Sequence, residues 1–368
     1  MSILECRWQD NAILRLQQAR RGRRVPHSYI FHGPDGVGKT LLACQWAKLQ
    51  LCSSPVRRSG PSNLGGSVVE EIDDCCDRCD DCRSVEAGNH PDLHIINRDL
   101  ARYTSKARDS QMLELPVDVI REFVIGPAGL APGRGRARIF LIEQGHSMNR
   151  QAQNALLKTL EEPPANTFIL LITSKPDLFL PTVRSRCQSI QFQPLPLEFV
   201  REKLSEAGVP DEQGWYWADF CGGRLGPALE LAQMALYEAK CHLFEQLGLL
   251  GYGSALDLAA WIVDQAKVFG QSYLKSHPGH SLSDATRQGQ SYFLQMITYA
   301  FSLALRRTAG VGQQGSSEIA RIAERFCPGA CARAIRAACR SESLLYTNVN
   351  VPLLFESLML DCMDYAEH

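Results

Sequence analysis

A chain of 368 residues, 45% of them hydrophobic, is long enough to bury a sizeable core and to divide into two or three domains. Its formal net charge of −1 excludes a global electrostatic pull toward nucleic acid, so any DNA contact must come from local patches or from partner chains. With no run of about 18 apolar residues and no signal-like N-terminus, a cytoplasmic protein without a membrane partner is expected, and its 14 cysteines then point to metal ligation or apolar packing before disulfides.

In chain order, Ala12, Ile13, Leu16 and Ala19 set a helical pattern that ends in Arg20-Arg21-Gly22-Arg23-Arg24. This arginine run reads as a solvated helix end in preference to a phosphate contact. Tyr29-Ile30-Phe31 reads as a buried strand. It leads into Gly33-Pro34-Asp35-Gly36-Val37-Gly38-Lys39-Thr40, the full phosphate-loop pattern, and residues 40–51 follow as a helix. Glycines let the backbone curl so that amide N–H groups face a triphosphate, Lys39 reaches the β and γ oxygens, and Thr40 binds Mg²⁺. Strand, loop and helix in this order predict ATP and Mg²⁺ binding, with the helix N-terminus facing the phosphates.

Cys76, Cys79 and Cys82 are spaced by two residues each, close enough to bend round one ion, and Cys52 at the end of the preceding helix is the natural fourth thiolate. Tetrahedral Zn²⁺ fits four sulfurs and leaves no open position for water, so such a site staples a loop. Cys75 is the alternative to Cys76, ranked below it because Cys76 completes the double C-x-x-C. His90-Pro91-Asp92 reads as a turn and His94 as a strand residue, neither as a ligand. Residues 98–114 read as a polar surface excursion and 116–123 as an amphipathic helix entered by proline.

Arg138-Ile139-Phe140-Leu141-Ile142 is an apolar strand followed by Glu143 and Gln144. These are the two positions that phosphate-loop ATPases use for the metal-holding acid and the base that activates water. Glu143 can serve a metal, whereas the Gln144 amide cannot accept a proton. Residues 149–162 form a helix capped by Asn149 and stopped by Pro163-Pro164, and 168–173 a buried strand. The alternation predicts an α/β P-loop domain, a parallel sheet with helices on both faces.

Asn154-Ala155-Leu156-Leu157-Lys158-Thr159-Leu160-Glu161-Glu162-Pro163-Pro164, with Ser185-Arg186-Cys187 downstream, resembles the bacterial DNA polymerase III clamp-loader subunits of the AAA+ class. The cysteine run, the nucleotide loop and the segment 348–356 are similar to that family's zinc module, ATP loop and collar end. By this resemblance Arg186 is an arginine finger that reaches ATP on a neighbouring subunit, and Thr173 and Ser174 lie where the γ-phosphate is sensed. The second sensing arginine is displaced: Gly226 stands at its place, and Arg224, two positions early, points about 200° away on a helix.

The resemblance further implies a nucleotide-binding domain over 1–190 with the zinc module at about 52–82, a small helical lid over 191–235 and an all-helical collar over 236–368. Within the collar, helices broken near Gly251, at 277–283 and at 310–316 bury Tyr292, Phe293, Met296, Tyr299 and Phe301. The partners implied are loader subunits of the gamma/tau and delta types, the sliding clamp and primed DNA. Within the family, Gln144, Gly226 and the chain end soon after the collar favour a delta-prime-like subunit with weak ATPase of its own. The intact loop favours a gamma/tau-type motor, and a nucleotide-stabilised scaffold outside replication is a third reading.

Overall fold

Chain segments with apolar residues at every position become buried strands, and those with apolar residues three and four apart become helices. The computed structural model describes residues 2–22, 25–59, 71–104, 114–134, 136–234, 236–277, 281–311, 316–347 and 349–366. Helix α1 (Asp10–Arg21) leads to β1 (Ser28–His32), α2 (Lys39–Leu51), the hairpin strands β2 (Val56–Ser59) and β3 (Glu71–Asp74), α3 (Asp80–Glu86) and β4 (Leu93–Ile96). Then α4 (Val117–Ile120) runs through a π-helical turn (Arg121–Ile125) into α5 (Gly126–Ala128), β5 (Arg138–Ile142), α6 (Arg150–Glu161), β6 (Thr167–Thr173), α7 (Pro181–Arg184), β7 (Gln188–Gln191) and α8 (Leu197–Glu206). Helices complete the chain: α9 (Asp211–Phe220), α10 (Leu225–Gln233), α11 (Leu236–Gly248), α12 (Tyr252–Ser276), α13 (Leu282–Thr308), α14 (Ser317–Arg325), α15 (Pro328–Leu344) and α16 (Val351–Ala366).

Two compact units result, one of Met1–Val200 with Gly222–Pro227, the other of Arg201–Cys221 with Ala228–His368. The first is built on a five-stranded parallel sheet of order β4-β5-β6-β1-β7. Tyr29 and Phe31 of β1 point into a core with Leu42 and Trp46 of α2, while Ile30 joins Val119, Val124 and Leu156 on the opposite face. Both faces of the sheet are therefore buried under helices, the expected α/β P-loop class. Sequence order reverses about β1, whose neighbours are β6 and β7, and in such sheets the crevice at the carboxyl ends of the strands is where ligands sit.

Several local expectations are corrected. The helix expected over 116–123 extends to Ala128 through the π turn. Arg21 is exposed, as expected of a solvated helix end, but it also donates to the Glu71 carbonyl, and the half-buried Arg20 pairs with Asp73 at 3.2 Å and donates to Gln50, contacts that tie α1 to the hairpin. Arg23 and Arg24 lie outside the described residues, as do 105–113 of the expected surface excursion, which begins instead with a 3₁₀ turn (Arg98–Tyr103). Asn348 of the collar-end segment is also outside them.

In the second unit α12 packs on α13 and α16, and α13 on α14 and α15. Phe293, Met296 and Phe301 are buried, and the half-buried Tyr292 and Tyr299 find partners in Gln288 and Asp219. Tyr216 of α9 stacks on Phe220 and meets Tyr237, Phe244 and Tyr299 edge-on, and the buried Lys240 ammonium lies 4.8–5.0 Å from the ring centres of Tyr216, Tyr237 and Phe244, a cation–π cage.

Candidate functional site

The turn after β1 needs glycine for reasons of space. Gly36 has φ +75°, and a Cβ there would lie 2.3 Å from Pro227 Cδ; at Gly33, φ +146°, one would lie 2.4 Å from the Phe192 carbonyl oxygen. Gly38 caps α2, so the helix's first amides, which lack intrahelical acceptors, open onto the loop. Lys39 is buried, and its ammonium donates to the carbonyls of Gly33 (2.7 Å) and Pro34 (2.5 Å), with Asp35 at 3.5 Å. Burial pushes its pKa down, opposed by Asp35. The side chain thus lies curled inside the loop that it would share with a triphosphate.

Glu143 follows β5, its N–H bonded to the Ile96 carbonyl, and burial pushes its carboxyl pKa up. Burial first and the Glu143 charge second push the thiol of Cys44 on α2 up to about 11. Gln144 has left-handed backbone, φ 47°, and its Oε1 accepts a hydrogen bond from Arg98. Thr173 ends β6 in register with His32 of β1; its Oγ1 accepts from the Lys175 N–H at 2.9 Å and lies 3.0 Å from His146 Nδ1.

Gly226 donates its N–H to the Gly36 carbonyl at 3.1 Å, and a Cβ there would lie 3.0 Å from Gly36 Cα. Backbone is pressed on backbone where an arginine side chain would need to leave. Arg186 lies apart from this group: its Nη2 is 2.5 Å from Glu161 Oε1, and its Nη1 donates to the Thr182 carbonyl at 2.9 Å.

At the far end of α2, Cys52, Cys76, Cys79 and Cys82 place their sulfurs within 4.8 Å of one another, with Cys76–Cys82 and Cys79–Cys52 at 4.0 Å. A disulfide needs about 2.05 Å, whereas four thiolates about 2.3 Å from one zinc stand about 3.8 Å apart, so the spacing suits a metal. The backbone N–H groups of Cys76, Cys79 and Cys82 each point at a cluster sulfur at 3.4 Å. Burial alone raises the Cys79 thiol, but hydrogen bonds from Ser53 and Cys82 outweigh it and hold the pKa at about 6, which favours a thiolate. Cys75 turns away toward Asp74 and Asp77, and burial with those acids pushes it up to about 12. Buried Lys48 bridges Asp77 (2.5 Å) and Glu86 (2.6 Å), tying the cluster back to α2.

His94 stacks on Phe140 at 4.9 Å, and His90 accepts from the Asp92 N–H, so neither joins the sulfur cluster. Sequence reasoning missed Gln9, Asp92 and His146. Buried Gln9 donates to the carbonyls of Val37 and Gln193, stitching the loop to the strand end after β7; a lone glutamine before a helix carries no signal of this. His146, two residues beyond Gln144, had a signal in its nearness to the strand end.

A sequence profile for the family described as "DNA polymerase III, delta subunit" matches residues 8–196. The chain is 33% identical over 189 residues to DNA polymerase III subunit delta' of Pseudomonas aeruginosa, covering 50% of this chain and 48% of that protein. It is 31% identical over 267 residues to DNA polymerase III subunit tau of Salmonella typhimurium, covering 70% of this chain and 37% of that one. Among solved structures, a DNA polymerase III gamma subunit-related protein from Thermotoga maritima aligns at 15% identity with a TM-score of 0.39, over 95% of this chain and 99% of that chain. The chain thus spans less than half the length of these two curated relatives.

Proposed function

This chain belongs to the DNA polymerase III delta-subunit family, and from that premise we propose that it is a delta-prime-like subunit of the clamp loader, helping ATP-dependent loading of a sliding clamp onto primed DNA in the cytoplasm. Its partners are then loader subunits of the gamma/tau and delta types, the clamp and primed DNA. Residues 191–235 serve as its lid and 236–368 as the collar that joins it to the ring. The observation that carries this reading is Gln144: the position that would activate water holds an amide that cannot take a proton, and its oxygen is already engaged by Arg98.

In its own site the loop from Gly33 through Pro34, Asp35, Gly36, Val37 and Gly38 would hold ATP, with Lys39 and Thr173 serving the γ-phosphate and Thr40 and Glu143 the Mg²⁺. The bound metal would supply charge neutralisation for the phosphates. Without a base at Gln144 or a cation at Gly226 the chain hydrolyses ATP slowly. Arg186 acts in trans, its planar guanidinium forking onto phosphate oxygens of a neighbour's ATP, a contribution of about 10³–10⁵ in rate for arginine fingers. Cys52, Cys76, Cys79 and Cys82 hold one structural zinc, a closed shell with no catalytic position.

The reconstituted loader tests these roles. Lys39→Ala should weaken nucleotide binding to this subunit with modest loss of total ATPase, while Arg186→Ala should keep that binding and depress the partner's clamp- and DNA-stimulated hydrolysis. Loss of most ATPase with Lys39→Ala and none with Arg186→Ala would favour the gamma/tau-type motor instead, a reading that the intact loop supports.

A further inference from the structure

A hydroxyl has one hydrogen to donate and two lone pairs to offer. At Thr173 one lone pair is filled by the Lys175 N–H, and the remaining partner among the described residues is the His146 imidazole, whose Nδ1 lies 3.0 Å from Oγ1. The turn after β5 fixes the backbone that carries that ring. Gln144 takes left-handed backbone, and Gly145 sits so close under Phe179 that a Cβ would lie 2.8 Å from the ring. His146 therefore decides where the Thr173 hydrogen can go. With its own proton on Nε2, the imidazole takes the hydroxyl hydrogen at Nδ1. When the proton sits on Nδ1, the imidazole fills the second lone pair and the hydrogen is turned out of the pair.

We propose that His146 is a positioning residue of the nucleotide site: by donating its Nδ1–H to Thr173 it directs the hydroxyl hydrogen to a γ-phosphate oxygen, and so makes the site prefer a nucleoside triphosphate to a diphosphate. This rests on the reading of Thr173 as the γ-phosphate contact. Burial favours the neutral ring, and the Lys175, Arg98 and Lys39 charges add to that against Asp35. The choice lies between two tautomers of the same charge.

The test is the ratio of ADP to non-hydrolysable ATP-analogue dissociation constants, measured with Mg²⁺ on the full chain. Thr173→Val should lower the analogue's advantage roughly tenfold, the loss of one hydrogen bond to a charged oxygen. His146→Phe should lower it roughly fivefold by the same loss of orientation, and the double variant should fall no lower than Thr173→Val alone. His146→Asn, whose amide can donate from near the Nδ1 position, should recover most of the preference. ¹⁵N shifts of the analogue complex should place the ring proton on Nδ1. Equal weakening of both nucleotides by His146→Phe, additive losses in the double variant, or a proton on Nε2 would overturn the proposal and leave the Thr173 reading standing. An unchanged ratio in Thr173→Val, or no binding of either nucleotide, would overturn both.

Discussion

Asp92 is 1% exposed and accepts hydrogen bonds from the N–H groups of Gly133 (2.7 Å) and Arg134 (2.9 Å) and from Arg138 (3.3 Å). Burial alone would raise its pKa, but these donors outweigh it and hold the carboxyl below the usual range. A depressed folded-state pKa contributes stability that is complete above the unfolded value of about 3.9 and is lost as pH falls through the lower folded value. Asp92→Asn should therefore cost about 1.5–3 kcal/mol at pH 7, as hydrogen bonds to a charged group do. Denaturant unfolding of the two proteins should converge as the pH drops below 4, a gap that stayed constant with pH being the contrary result. At the sulfur cluster, Cys79→Ser should release zinc measured by elemental analysis, while Cys75→Ser keeps it, since Cys75 faces Asp74 and Asp77. Zinc lost from Cys75→Ser and retained in Cys79→Ser would reverse the assignment. Spacing picked out the four convergent cysteines because a metal knuckle is local in sequence. Asp92 read only as a turn residue, since its partners lie more than 40 positions downstream, where no local pattern can point to them.

Strand, loop and helix around Lys39 were legible because each follows from neighbouring residues, as did α6, whose cap Asn149 accepts from the Ala152 N–H at 2.8 Å. What local pattern could not convey is the approach of Gly226 to Gly36. In sequence, Gly226 is a missing cation; in the structure it is a contact that only two backbones without side chains can make. Restoring the expected residue should then fail: Gly226→Arg should lower stability by about 1–3 kcal/mol through overpacking and bring no gain in ATP turnover. Thermal unfolding and a turnover assay on the same preparation decide this, and a stable, faster variant would mean that the contact is dispensable. In the arginine run after α1, Arg21 is exposed as expected, but the contacts of Arg20 and Arg21 could not be read locally. Charged helix ends are commonly solvated, but β3 lies within reach and takes both Arg20 and Arg21.

Across the whole chain, the parallel sheet was legible from alternating strands and helices, and the C-terminal helices from their apolar period. The clustering of Tyr216 with Tyr237, Phe244 and Tyr299 was not, because it joins helices far apart in sequence through packing alone. Arg186 is held on Glu161 and Gln144 by Arg98, apart from each other, as the proposed division between a weak site of its own and an arginine acting on a neighbour requires. The central claim is that this subunit binds nucleotide but contributes to hydrolysis chiefly through a neighbour. Steady-state ATP turnover by the purified, isolated chain, beside its affinity for Mg-ATP and with Lys39→Ala as control, tests it most directly. The account predicts measurable binding that Lys39→Ala removes and turnover at the level of that control, whereas brisk turnover abolished by Lys39→Ala would contradict it.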